Sequence, residues 1–154
     1  MKNKYIKHFI MICRHKWYVG TECFKRGLYW QGIVHDLSKF SWTEFATSAR
    51  YYQGDKSPIG VEKKMLGYSY AWLNHKNNNK HHWEYWTDFS KGKVIALPMP
   101  DKYIKEMVCD MVGASKSYGT SSVWAYYNAN KHEWFMHPDS QTRFEELLKL
   151  WNVK

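Results

Sequence analysis

Three ionisable residues sit together in the stretch GIVHDLSKF, residues 32–40: His35, Asp36 directly after it, and Lys39. Other side chains of the same chemistry stand along the chain: His15, His75, the adjacent His81 and His82, and Asp110. Imidazole and carboxylate together suit a divalent transition metal, Mn, Fe, Co, Ni or Zn. Neighbours on a helix diverge by about 100°. His35 and Asp36 could therefore reach two adjacent metals, or one metal from two sides. Lys39 follows Asp36 by three residues and His35 by four, so it shares their face. A lysine beside a metal is a natural phosphate contact. Asp110 stands among Met107, Val108, Cys109, Met111 and Val112. A carboxylate there is costly to bury without a partner, and a metal ion is one such partner. The competing account of HDLSK is that these residues cap and solubilise a helix.

The elements that must position these groups read as helices. Tyr5, Phe9, Ile12 or Cys13, and Trp17 recur at three- and four-residue spacing and predict an amphipathic helix over 3–27, with Gly27 as its stop. A short helix carries 33–40. SWTE, 41–44, has the form of a capping box, in which Ser41 accepts from the Glu44 amide while Glu44 reaches back, and a helix runs on to about 52. QGDKSP, 53–58, is a loop. Residues 59–75 read as helical, with Val61, Met65, Tyr68 and Trp72 on one stripe; three consecutive Asn then end it. HHWEYW and a loop through SKGKVIALPMP follow. Further helices start at Asp101, cover 121–131, and close the chain with Phe144, Leu147, Leu148 and Trp151 facing in. No alternating strand pattern competes. The expectation is an all-α, compact helical bundle, one domain over residues 1–154, without repeats or low-complexity segments.

Composition bounds the partners. A chain of 154 residues suits one domain with one core. The net charge of +9 favours anionic partners through a salt-sensitive field. Lys outnumbers Arg, which argues against dedicated readout of base edges, so nucleic acid ranks below a small nucleotide. Nine Trp and twelve Tyr serve either a core of large rings or a wall on which a base stacks. Three cysteines, Cys13, Cys23 and Cys109, with no CxxC spacing, fit a reduced, cytoplasmic protein with buried thiols. Lys7, His8, Arg14, His15 and Lys16 interrupt the first apolar patch, which argues against a signal peptide or a membrane span. His8, two turns before His15, is expected at the surface, and His132 and His137 in solvent or at a helix cap.

The ordered set His15, His35-Asp36 and Asp110 resembles the HD-domain phosphohydrolase superfamily: a first His, an adjacent His-Asp pair and a later Asp, all on helices of one bundle. HDLSK looks like the HDxxK form of the motif in the cyclic-dinucleotide phosphodiesterases of that superfamily. His75, the His81-His82 pair and Glu84 resemble the extra histidines of that branch. CDMVGASKSYG and the closing HPDSQTRFEELL are similar to its ends, so the resemblance spans roughly residues 8–150. HHWEYW stands where the cyclic-di-GMP branch has Gly-Tyr-Pro, and Met11 stands where some members have a metal-binding Glu. The chain also resembles a group of small uncharacterised bacterial and phage proteins that share HDLSKF and HHWEYW.

The resemblance implies a compact bundle of the HD-domain type, one or two divalent ions, and metal-dependent phosphohydrolase or phosphodiesterase activity on a nucleotide, including cyclic or short oligonucleotide signals. Asp36 would bind both metals, His15, His35 and Asp110 would hold one, and His75 with His81 or His82 the other. Lys39 would neutralise a phosphate oxygen. Lys116 and Tyr118 would contact the rest of the substrate, and Trp83, Tyr85 and Trp86 would form the stacking wall. The rival expectations are an HD-like module that holds a nucleotide without cleaving it, and a basic helical protein that binds nucleic acid.

Overall fold

The computed structural model describes residues 2–54, 56–119 and 122–153. Asp55 in the expected loop and Ser121, the expected first residue of the helix over 121–131, lie outside the described residues, as do the two terminal residues. The described residues form eight α-helices and one small hairpin, so the fold is all-α in kind.

The first helix, α1 (Lys2–Phe24), packs against α6 (Asp101–Tyr118). The face of α1 turned inward is not the expected one. His8, Ile12, His15, Val19, Glu22 and Cys23 are buried, whereas Phe9, Cys13 and Trp17 are exposed. The 4-3-4-3 spacing of the buried set puts His15 opposite Asp110, and the helical period then carries Trp17 to the outside. His8, expected at the surface, is buried by the same geometry. Two contacts close the α1–α6 seam. Cys23 and Cys109 pack with Val19 in a small apolar cluster. At Gly113, a Cβ would lie 2.9 Å from the Val19 backbone nitrogen, so only glycine lets the helices approach this closely.

The expected short helix is two pieces. Helix α2 (Tyr29–Val34) ends before His35, and a 3-10 turn (Leu37–Phe40) begins after Asp36. Asp36 itself has φ 54, in the left-handed region. Such a residue cannot continue a helix, and Asp tolerates this conformation better than most. Helix α3 (Trp42–Tyr51) starts at the expected cap, with Ser41 Oγ accepting from the Glu44 amide at 3.4 Å. The region read as one helix over 59–75 is two, α4 (Pro58–Leu66) and α5 (Tyr70–Asn78), broken at Gly67. Met65 and Tyr68 of the expected stripe are exposed. Ser69 Oγ caps α5 by accepting from the Trp72 amide, 2.9 Å.

The segment read as a loop contains a hairpin, β1 (Thr87–Ser90) paired antiparallel with β2 (Lys93–Ala96), Thr87 opposite Ala96. Its two-residue turn, Lys91–Gly92, has both φ positive, the geometry that matches strand twist. Helices α7 (Val123–Asn130) and α8 (Pro138–Leu150) follow. The main apolar cluster lies between α6, α7 and α8, around Val108, Tyr127, Phe144, Leu147 and Leu148. Helix α6 thus has two sides. Ile104, Met107 and Val108 join this cluster, while Glu106, Asp110 and Gly113 turn towards α1 and the His35-Asp36 bend. No helix among the described residues is long and apolar enough to cross a membrane.

Candidate metal centre

Helix α1 supplies His15, the bend after α2 supplies His35 and Asp36, α5 supplies His75, the turn after it supplies His81 and His82, and α6 supplies Asp110. All seven converge. Asp36 Oδ2 lies 3.4 Å from His15 Nε2 and 3.2 Å from His35 Nε2. Asp110 Oδ1 lies 3.0 and 3.2 Å from the same two nitrogens. On the other side, Asp36 Oδ1 lies 3.5 Å from Nε2 of both His75 and His81. His82 Nε2 is 2.8 Å from His75 Nε2. Two ligand sets result: His15, His35, Asp36 and Asp110, and Asp36, His75, His81 and His82, each with its ligand atoms within 4.8 Å of one another. Asp36 belongs to both, one oxygen facing each set. The left-handed bend at Asp36 places its carboxylate between the sets.

Two carboxylates that sequence reasoning missed hold the imidazoles. Glu106 Oε1 lies 3.0 Å from His35 Nδ1 and 3.3 Å from His81 Nδ1. Glu44 Oε1 lies 2.8 Å from His75 Nδ1. A carboxylate at Nδ1 draws the proton there and leaves the Nε2 lone pair facing the centre, the usual support of a metal-bound histidine. Glu44 was expected to close a capping box; its carboxylate instead accepts from Ser38 Oγ at 2.7 Å and faces His75. The available signal for Glu106 was its place one turn before Asp110, on the same face of α6.

The centre is largely buried and charged. His35, Asp36, His75 and His81 are each no more than 2% exposed. Burial alone would raise the Asp36 pKa, but the charges of His35, Lys39 and His75 hold it well below the usual carboxylate range. Asp110 is likewise held low against its burial, by the neighbouring imidazoles of His15 and His35. Burial, and then the neighbouring His81 and His75, push His82 well down. His35 is pushed up despite its burial, by Asp36 and then by Asp110 and Glu106. Several atoms remain without a hydrogen bond of normal geometry: both oxygens of Asp36 and the Nε2 atoms of His15 and His81. Buried polar atoms are rarely left so. Oxygen and nitrogen atoms of Asp and His converging on one point are the donor set that a divalent ion requires, so these buried groups could hold a metal.

Lys39 stands at the edge, its ammonium 2.5 Å from Asp36 Oδ2. Burial would lower its pKa, but Asp36 and then Asp110 raise it, so it stays a cation. Tyr118 is close enough to this edge for Lys39 and Asp110 to act on its hydroxyl. The remaining expected substrate contacts do not gather here. Lys116 pairs with Glu22 at 2.7 Å. Trp83 faces Trp134, 6.5 Å between rings, and Trp86 packs on Tyr103 and donates its indole N–H to Lys80 O at 2.7 Å. Both indoles border the apolar cluster. Among the other histidines, His137 caps α8 by accepting from the Asp139 amide at 3.3 Å, and His132 is exposed.

Residues 4–150 match the model of a family of unknown function (DUF5662). No curated protein and no solved structure matches.

Proposed function

We propose that this chain, which belongs to the family of unknown function (DUF5662), is a metal-dependent phosphohydrolase or phosphodiesterase of the HD-domain type. Its substrate on this reading is a nucleotide, including cyclic or short oligonucleotide signals. The observation that carries the reading is Asp36, whose two oxygens face two separate histidine sets. A carboxylate shared in this way suits two ions side by side, and such pairs of ions serve in-line displacement at phosphorus. When bound, the ions, from among Mn, Fe, Co, Ni and Zn, supply an acidified water and stabilise charge on the attacking and leaving oxygens.

The chain's own residues do the rest. His15, His35 and Asp110 complete one position, and His75, His81 and His82 the other. Glu106 and Glu44 orient the rings through Nδ1. Lys39 presents a permanent positive charge at the rim, where it can meet a phosphate oxygen. Burial of the cluster keeps bulk water from screening these charges. The net charge of +9 draws anionic substrates towards the protein.

The test is a screen of phosphodiesters and phosphomonoesters, nucleotides included, with metal-loaded and chelator-stripped protein beside Asp36→Asn. Asn tolerates the left-handed bend at position 36, so this variant removes charge without adding backbone strain. Hydrolysis that vanishes on stripping, returns with one metal and is absent in Asp36→Asn supports the proposal. A metal-loaded protein that binds nucleotides and returns them intact would make it a binding module instead.

A further inference from the structure

The outer side of α1 carries an apolar stripe that nothing among the described residues covers. Ile6, Ile10, Cys13, Trp17 and Phe24 are all exposed, Trp17 by 71%. Their spacing is four, three, four and then seven, the rhythm of a seam between two helices. The segment from α2 to the 3-10 turn runs back beside this helix and widens the face with Tyr29, Trp30, Ile33 and Leu37. Two ring contacts tie the strips together, Phe24 on Tyr29 at 5.6 Å and Phe9 on Phe40 at 5.9 Å.

From this face we infer that the chain pairs with a second copy of itself, α1 against α1. Eight large apolar side chains take part beside Cys13, each of the eight about half to three-quarters exposed. At about 100 Å² each, they offer roughly 800 Å² per copy, beyond the 300–600 Å² patch of a typical monomer and equal to the roughly 800 Å² per partner of a stable interface. The seam spacing favours another helix over a lipid surface, which asks for no register.

The charges of the face give the pairing a signature. The only acids in residues 1–43 are Glu22 and Asp36, and both are buried. Lys7 and Arg14 flank the stripe. Two copies therefore bring like charges to the rim, a screened repulsion that is small beside the burial of so much apolar surface. Added salt should tighten the pair, because the Debye length shrinks from about 10 Å at 0.1 M to about 3 Å at 1 M. An anionic membrane or an acidic protein on the same face would show the opposite trend. The outer residues Ile33 and Leu37 flank His35 and Asp36, so the interface would brace the bend that carries two of the proposed ligands.

Sedimentation of the full chain at low and high salt, beside Trp17→Glu and Ile10→Lys, tests it. The expected result is a species of twice 18.5 kDa that dissociates less at high salt. Each variant should be monomeric while keeping the wild-type circular dichroism, since both side chains are exposed in the single chain. A wild type that stays monomeric at every concentration overturns the inference, whether or not it binds anionic vesicles. A pair loosened by salt, or one that survives both substitutions, overturns it equally.

Discussion

Glu106 serves two imidazoles with one oxygen, 3.0 Å from His35 Nδ1 and 3.3 Å from His81 Nδ1. Gln at 106 keeps the length and volume of the side chain, and its carbonyl can still accept from both rings. What it loses is the charge. A hydrogen bond to a charged group contributes about 1.5–3 kcal/mol, against about 0.5–1.5 for a neutral pair, so two such bonds lose roughly 2 kcal/mol together. At about 1.4 kcal/mol per factor of ten, this is about a 30-fold weaker hold on metal, inside the 10–100-fold range known for residues that orient metal-bound histidines. Leu at 106 removes the acceptor altogether and should weaken metal binding further. The assay is competition with a chromophoric chelator, with circular dichroism as the control for folding. Glu106→Gln binding metal within two-fold of wild type would refute the reasoning, because the Nδ1 contacts would then have no part in presenting Nε2.

Three further outcomes are expected. Gly113→Ala forces a Cβ against the Val19 backbone, 2.9 Å from its nitrogen. The overpacking costs up to about 3 kcal/mol and gains back about 1 in helix propensity, so melting should fall by about 4–8 °C for a net loss near 2 kcal/mol. A stabilised variant would contradict the close α1–α6 seam. Burial, and then the charge of Lys39, lower the His8 pKa from 6.5 to about 4, and neither ring nitrogen has a hydrogen-bond partner among the described residues. The unfolded chain therefore binds a proton that the folded one refuses, and this part of the stability is lost as pH falls from about 6.5 to 4. His8→Phe should be more stable at pH 7 by about 1 kcal/mol, with a gap that widens towards pH 4 in denaturant titrations; a constant gap contradicts the burial. Burial would raise the Glu22 pKa, but Lys116, Lys25 and Arg26 hold it down to about 2. Its contribution is present above about 4.5 and lost as pH falls towards 2. Lys116→Met should reduce that acid-sensitive part, seen as a smaller stability difference between pH 5 and pH 3, by about 1 kcal/mol once screening at the exposed Lys116 is allowed for.

The seven converging side chains were legible because their chemistry lies in residue types. His15, His35, Asp36, His75, His81, His82 and Asp110 need no contact map to be picked out as a group. The helices were legible where apolar period and caps agreed, as at Ser41 and in α8. What stayed hidden depends on contacts far apart in the chain. Glu106 is 71 residues from the ring it orients, and no local pattern marks that pairing. The most apolar stripe of α1 faces out, and the side turned inward is set by contacts with α6, His15 with Asp110 and Val19 with Gly113 and Cys109, that the helix's own period does not reveal. The HDLSK stretch reads as helix by composition. Its break at Asp36 is a backbone conformation that places the carboxylate between two histidine sets, and composition does not encode it. The short hairpin escaped because β1 and β2 have four residues each, too few for an alternating pattern.

The most direct test of the central claim is the metal content of purified protein by mass spectrometry, wild type beside Asp36→Asn, after reconstitution at neutral pH. Asp36 facing both sets predicts about two equivalents of a transition metal in the wild type, with both positions weakened in the variant. A wild type that takes up no metal, or a variant that keeps both ions, would contradict it.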